Sequence, residues 1–146
     1  MVRRRILPVI CGGVFWLALA PEALEERLIE GMDRGIKGDY EGAIAVFSEL
    51  IEKFPQYDEA YFNRAIAWEK LQQWGRAFQD YDQALLHNPQ LAEAYHQRGL
   101  LWLQWGDPGQ AQRDFSRAEE LYRQQGNVAG LASLLPHLPP AAQSSP

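Results

Sequence analysis

The sequence predicts an all-α protein: an α-solenoid of three stacked helix-turn-helix units, led by an N-terminal apolar helix and closed by a C-terminal capping helix. Three observations predict it. Residue types recur in triplicate at a spacing of 34, the mark of a repeat array. Aromatic residues fall seven apart, Tyr61 with Trp68 and Tyr95 with Trp102, which places each pair on one helical face. The composition, 47% apolar and 23% charged over 146 residues, is that of a packed soluble chain too short for a two-domain enzyme.

The N-terminal element comes first in order. Arg3, Arg4 and Arg5 precede an apolar or small stretch, residues 6–20, that ends in Ala18-Leu19-Ala20. A charged region, an apolar region and an A-x-A site form the layout of a secretory signal. As a helix this stretch would span roughly 22 Å at ~1.5 Å per residue, short of a ~30 Å hydrocarbon core. Pro21 follows the expected cut and is poorly accepted there, so residues 1–20 are read as a signal peptide or as a short N-terminal membrane anchor. In both readings the arginines stay on the cytoplasmic side and the remainder is exported across the cytoplasmic membrane. A buried N-terminal helix of a cytosolic protein is the third alternative. Cys11 has no small residue before it of the kind a lipidation site requires, and reads as part of the apolar stretch.

The repeat follows. Alanines stand at Ala43, Ala77 and Ala111, aromatics at Phe47, Tyr81 and Phe115, small residues at Gly31, Ala65 and Gly99, and prolines at Pro55 and Pro89. The fragments Glu59-Ala60-Tyr61-Phe62-Asn63-Arg64-Ala65 and Glu93-Ala94-Tyr95-His96-Gln97-Arg98-Gly99 match almost residue for residue. In these positions the chain resembles the tetratricopeptide repeat (TPR) family, whose 34-residue unit is a helix-turn-helix. The resemblance implies a right-handed solenoid with units at 24–57, 58–91 and 92–125, within a TPR domain spanning 21–135. Small residues at Gly31, Ala65 and Gly99 are expected to face the alanines of the second helices and let paired helices approach closely. Each unit alone leaves an apolar face bare, so stacking stabilises the array.

Turn chemistry agrees with these boundaries. Gly38-Asp39 and Gly106-Asp107 separate the helices of units one and three, with both aspartates as N-caps, and Pro108 falls in a first helical turn, where proline is tolerated. Arg27 and Arg34 replace the aromatics of unit two, which suits a terminal unit facing solvent. Gly126 ends the last repeat helix and Asn127 caps a short helix; a capping segment is expected over 127–135 and a disordered tail over 136–146.

The chemistry that the sequence excludes is broad. One cysteine permits neither an intramolecular disulfide nor a cysteine-based zinc site. His87, His96 and His137 share no metal-ligand spacing, and no phosphate-binding loop or nucleophile motif occurs. No catalytic residue, metal or cofactor is expected, and the chain is read as a non-enzyme. The formal charge of −5 argues against a nucleic-acid partner. Without residues 1–20 the remaining 11 Lys and Arg against 19 acids leave −8.

What the resemblance implies for function is a concave groove lined by the first helices. Carried over position by position, it gives Glu25, Leu28, Met32 and Ile36 in unit one, with Ile29 beside them. In unit two it gives Glu59, Phe62, Asn63, Ile66 and Glu69, with Lys70 next; in unit three, Glu93, His96, Leu100 and Leu103, with Gln97. The leucine, methionine, isoleucine and phenylalanine positions form an apolar floor, and the three glutamates repeat along one edge. The lysines, arginine and asparagines that clamp acidic C-terminal peptides in one branch of the family are matched here only by Asn63. The expected partner is a protein segment with an apolar face and basic residues. The implied role is an interaction module or scaffold for assembly of an envelope or membrane complex. The alternative is a structural or self-associating subunit whose groove is filled by its own N-terminal helix or by another copy.

Overall fold

A computed structural model describes residues 21–139; the expected signal or anchor, residues 1–20, and the tail from 140 onward lie outside the described residues. Seven α-helices run in order: α1 (Pro21–Ile36), α2 (Tyr40–Lys53), α3 (Asp58–Lys70), α4 (Trp74–His87), α5 (Ala92–Gln104), α6 (Pro108–Gln125) and α7 (Val128–Leu134). Among the described residues there is no strand, and no helix is long and apolar enough to cross a membrane.

The helices pair as α1 with α2, α3 with α4 and α5 with α6, and each second helix packs on the first helix of the next unit. The expected three-unit stack is the architecture. Its core falls into three clusters, each of which spans a junction with the following element: Phe47 and Leu50 with Ala60, Tyr81 and Leu85 with Ala94, Phe115 and Leu121 with Leu134. The small residues let the paired helices approach closely, as expected. Gly31 and Gly99 lie directly under aromatic rings of the second helices: a Cβ on Gly31 would stand 2.5 Å from Phe47 Cε1, and one on Gly99 2.6 Å from Phe115 Cε1. Edge-to-backbone packing of the ring sets the approach of each helix pair.

The turns repeat with the same period. Gly38 and Gly106 take φ of 84° and 79°, and the equivalent residue of unit two, Gln72, is forced to 57°. Asp39 and Asp107 accept hydrogen bonds from the backbone N–H groups of Gly42 and Gln110 at 3.0 and 2.9 Å, as N-caps should. Arg27 and Arg34, in place of aromatics, bind α1 to its surroundings by ion pairs. Arg27 reaches Glu30 and Glu49, and Arg34 reaches Glu30 and Asp39.

Within units two and three a buried arginine–aspartate pair recurs, and each arginine also reaches the unit before. Arg64 of α3 forks onto Asp80 of α4 at 2.7 and 2.8 Å and donates to Ser48 of α2 at 3.0 Å. Thirty-four residues on, Arg98 of α5 forks onto Asp114 of α6 at 2.8 and 2.7 Å and reaches back to Asp82 of α4 at 2.6 Å. Each arginine therefore ties its own unit to the one before. Both aspartates it forks onto are buried, and the planar guanidinium satisfies their two oxygens together.

The C-terminal cap departs from expectation. After α7, whose N-cap Asn127 accepts from Gly130 N–H at 2.8 Å, the chain continues as a 3-10 turn, Leu135–His137, and buries Leu138 to 4% exposure. Order thus extends past residue 135 into the stretch expected to be a loose tail. Leu134 and Leu138 cover the apolar end of unit three, which no further repeat would otherwise bury.

Candidate functional site

The first helices α1, α3 and α5 carry the residues expected to line the groove, and the structure divides them. Along α1, Ile29, Met32 and Ile36 are 62%, 43% and 84% exposed, an apolar stripe that no other described residue covers. Met32 and Ile36 join Asn63, Ile66 and Lys70 of α3 around a cavity of about 280 Å³ floored by Ala43 and Phe47. At the opposite end of the same valley, Glu25, Leu28 and Ile29 face Tyr57 and Glu59 across a second, shallower hollow. Units one and two therefore bring together nine of the expected residues or their neighbours in one valley between α1 and α3.

Several expectations need correction. Leu28 is buried in the core with Phe47 and Leu50, because α2 packs over it, and only its edge reaches the valley. Phe62 is half-buried against the Tyr81 ring, 5.8 Å away, so it serves packing as well as the groove wall. Asn63 spends its amide N–H on the Glu59 carbonyl at 2.8 Å, which leaves its Oδ1 as the open group. Glu69 is partly buried, and burial holds its carboxyl above the usual range while the Tyr81 hydroxyl and Lys70 pull it back. The Tyr81 hydroxyl is fully buried and makes no well-formed hydrogen bond, although the Glu69 carboxyl lies close enough to raise its pKa further beyond the effect of burial.

Unit three is closed by the chain itself. His96, expected in the open groove, is only 7% exposed, with the Phe115, Tyr122 and His137 rings around it at 6.0, 6.3 and 5.9 Å. His137 in turn stacks on Phe115 at 5.2 Å. Glu93 receives a hydrogen bond from Asn127 at 3.3 Å, so this member of the glutamate edge is held by the cap. Leu100 packs against the same cluster, while Leu103 stays exposed beyond it. Burial, with His137 adding to it, holds His96 below the ordinary imidazole range. The covering segment was hidden in the sequence because a single turn of helix with two prolines beside it carries no period.

Sequence reasoning also passed over Arg64, Arg98 and their aspartates. The signal was present: both arginines and Asp80 and Asp114 recur 34 apart, and each arginine stands 16 residues before its aspartate.

Acidic residues crowd one end of the valley. Glu22, Asp58 and Glu59 occupy the first turns of α1 and α3, and Glu25 and Glu26 follow in the second turn of α1; each helix end contributes only about half a positive charge. Five full negative charges outweigh this, so that mouth is net acidic. Glu59 accepts from the Tyr57 hydroxyl at 2.9 Å, and Asp58 from Asn88 at 2.7 Å.

Sequence profiles of the tetratricopeptide repeat match residues 15–57 and 58–91, and the chain belongs to the tetratricopeptide-repeat family. No curated protein matches it in sequence. Solved structures share the fold. PcrH, in complex with the chaperone-binding region of PopB, aligns with a TM-score of 0.76 at 20% identity, covering 83% of this chain and 98% of that one. The TPR2B domain of yeast Sti1, in complex with an Hsp70 peptide, aligns at 0.74 and 23% identity, covering 84% and 98%. The Yersinia enterocolitica chaperone SycD, bound to a peptide of the translocator YopD, aligns at 0.67 and 16%, covering 80% and 95%.

Proposed function

We propose that this protein is a non-catalytic docking module that holds a segment of a partner protein in the valley between α1 and α3. The observation that carries the reading is the bare stripe Ile29, Met32 and Ile36 beside an open cavity, in a domain whose cap covers His96 and holds Glu93 on the third unit. Exposed contiguous apolar surface of this kind costs solubility unless something covers it. Structural relatives of this fold were solved with peptides of other proteins, which supports the same reading. Assembly of an envelope or membrane complex is the setting we propose, with residues 1–20 directing export. Intact-mass measurement on the native protein checks the latter, with a chain starting at Pro21 expected for a cleaved signal and the full 146 residues in the membrane fraction for an anchor.

The docking reading is tested with Met32→Asp and Ile36→Asp, both at exposed positions and neither in the core. Each should leave the thermal unfolding curve in place while lowering capture of partner from native membranes at least tenfold. Capture that survives both substitutions removes the valley as the binding surface.

A further inference from the structure

We infer that the ligand of this valley is a short extended segment, about five residues long, with a basic side chain at the Glu25–Glu59 mouth and a large apolar side chain in the cavity beside Ile66. The inference rests on the docking reading above and specifies its ligand. Three observations carry it. Glu25 to Ile36, and equally Glu59 to Lys70, span 11 residues, roughly 16 Å at ~1.5 Å per residue. An extended chain covers that length in about five residues at ~3.3 Å each.

The charge is one-sided. The mouth holds Glu25, which makes no ion pair among the described residues, beside Glu59, whereas at the far end stand Lys70, whose charge acts on Glu69, and Lys37, neutralised by Asp33 at 2.6 Å. A cation on the ligand is therefore favoured at the mouth and nowhere else along the floor.

Backbone chemistry favours the extended form. Among the described residues Asn63 Oδ1 accepts no hydrogen bond and Lys70 Nζ donates none, and both residues line the cavity. A helical ligand has already consumed its own N–H and C=O groups, whereas an extended one offers both to these side chains. The far end of the first-helix surface cannot lengthen the site, because the cap holds Glu93 and covers His96.

The test selects a displayed library of random 12-residue peptides on the full chain and measures the enriched peptides by fluorescence anisotropy. Expected are sequences with Lys or Arg two to five residues from a large aliphatic or aromatic residue. Their affinity should fall about tenfold in the Glu25→Lys/Glu59→Lys double variant, severalfold in Asn63→Leu, and below detection in Ile66→Asp. Peptides that lose binding in Ile66→Asp but lack a basic residue, or ignore the glutamate reversal, overturn this inference and leave the docking reading intact. Enrichment of nothing, or of peptides indifferent to Ile66→Asp, overturns both. Displacement of the selected peptides by a synthetic peptide of residues 1–20 overturns the partner assignment in favour of the chain's own N-terminal segment. Concentration-dependent dimerisation that blocks their binding assigns the valley to a second copy and overturns it likewise.

Discussion

Replacing Arg98 by methionine should be among the most damaging single changes on the inter-unit faces, although arginine is an unusual core residue. The guanidinium forks onto Asp114 at 2.8 and 2.7 Å and holds Asp82 at 2.6 Å, and its own pKa is raised chiefly by the bond to Asp114. Without it, Asp114 keeps a charge at 6% exposure with neither oxygen bonded. Removing one partner of a buried pair costs about 3–5 kcal/mol. Because the Arg98 side chain is 20% exposed and water can follow the change, the lower end, about 3 kcal/mol, applies. For a domain near this size that is a drop of about 12 °C in Tm. Arg98→Met/Asp114→Leu removes both charges, and Asp82, which is half-exposed, is resolvated. The double variant should return to within about 1 kcal/mol of the parent. Urea unfolding followed by far-UV circular dichroism measures all three proteins. A single variant that loses less than about 1 kcal/mol, or a double variant as weak as the single, refutes the view that the cost comes from leaving Asp114 buried and unpaired.

Three further outcomes follow from the same structure. Leu138→Ala should cost about 2–4 kcal/mol and speed amide exchange in α7, since it opens a cavity where the 3-10 turn seals unit three. Gln72→Gly should stabilise by about 0.5–1 kcal/mol in thermal unfolding, because it relieves an L-residue held at φ 57°. His96 is kept below its ordinary value, so the unfolded chain protonates first; stability contributed by neutral His96 is complete above about pH 6.5 and declines as pH falls below it. His96→Gln should flatten the fall in Tm between neutral and mildly acidic pH, and an unchanged slope in that variant assigns the acid sensitivity to other groups.

The candidate site was partly legible in advance. Met32, Ile36, Asn63 and Ile66 stand where position-by-position reading placed them, because a helix of fixed pitch carries position into facing without knowledge of its neighbours. His96, Glu93 and Leu28 occupy equally correct faces, yet other segments cover them. Facing is local and exposure is not, so the sequence could assign the first and had no access to the second.

The sequence by itself determined the repeat, its 34-residue register, the caps at Asp39, Asp107 and Asn127, and the family, since each depends on residues within one or two helical turns or on strict recurrence. Only the tertiary structure decided that phenyl rings press on Gly31 and Gly99, that Gln72 must adopt a glycine conformation, and that Arg64 and Arg98 each fork onto an aspartate of their own unit while reaching Ser48 and Asp82 of the unit before. It also decided that unit three is shut by Leu134–Leu138 and that the open valley is confined to α1 and α3. The physical reason is common to all of these. A helix follows from hydrogen bonds and side-chain order along one stretch of chain, whereas burial of a face depends on which distant stretch arrives to cover it.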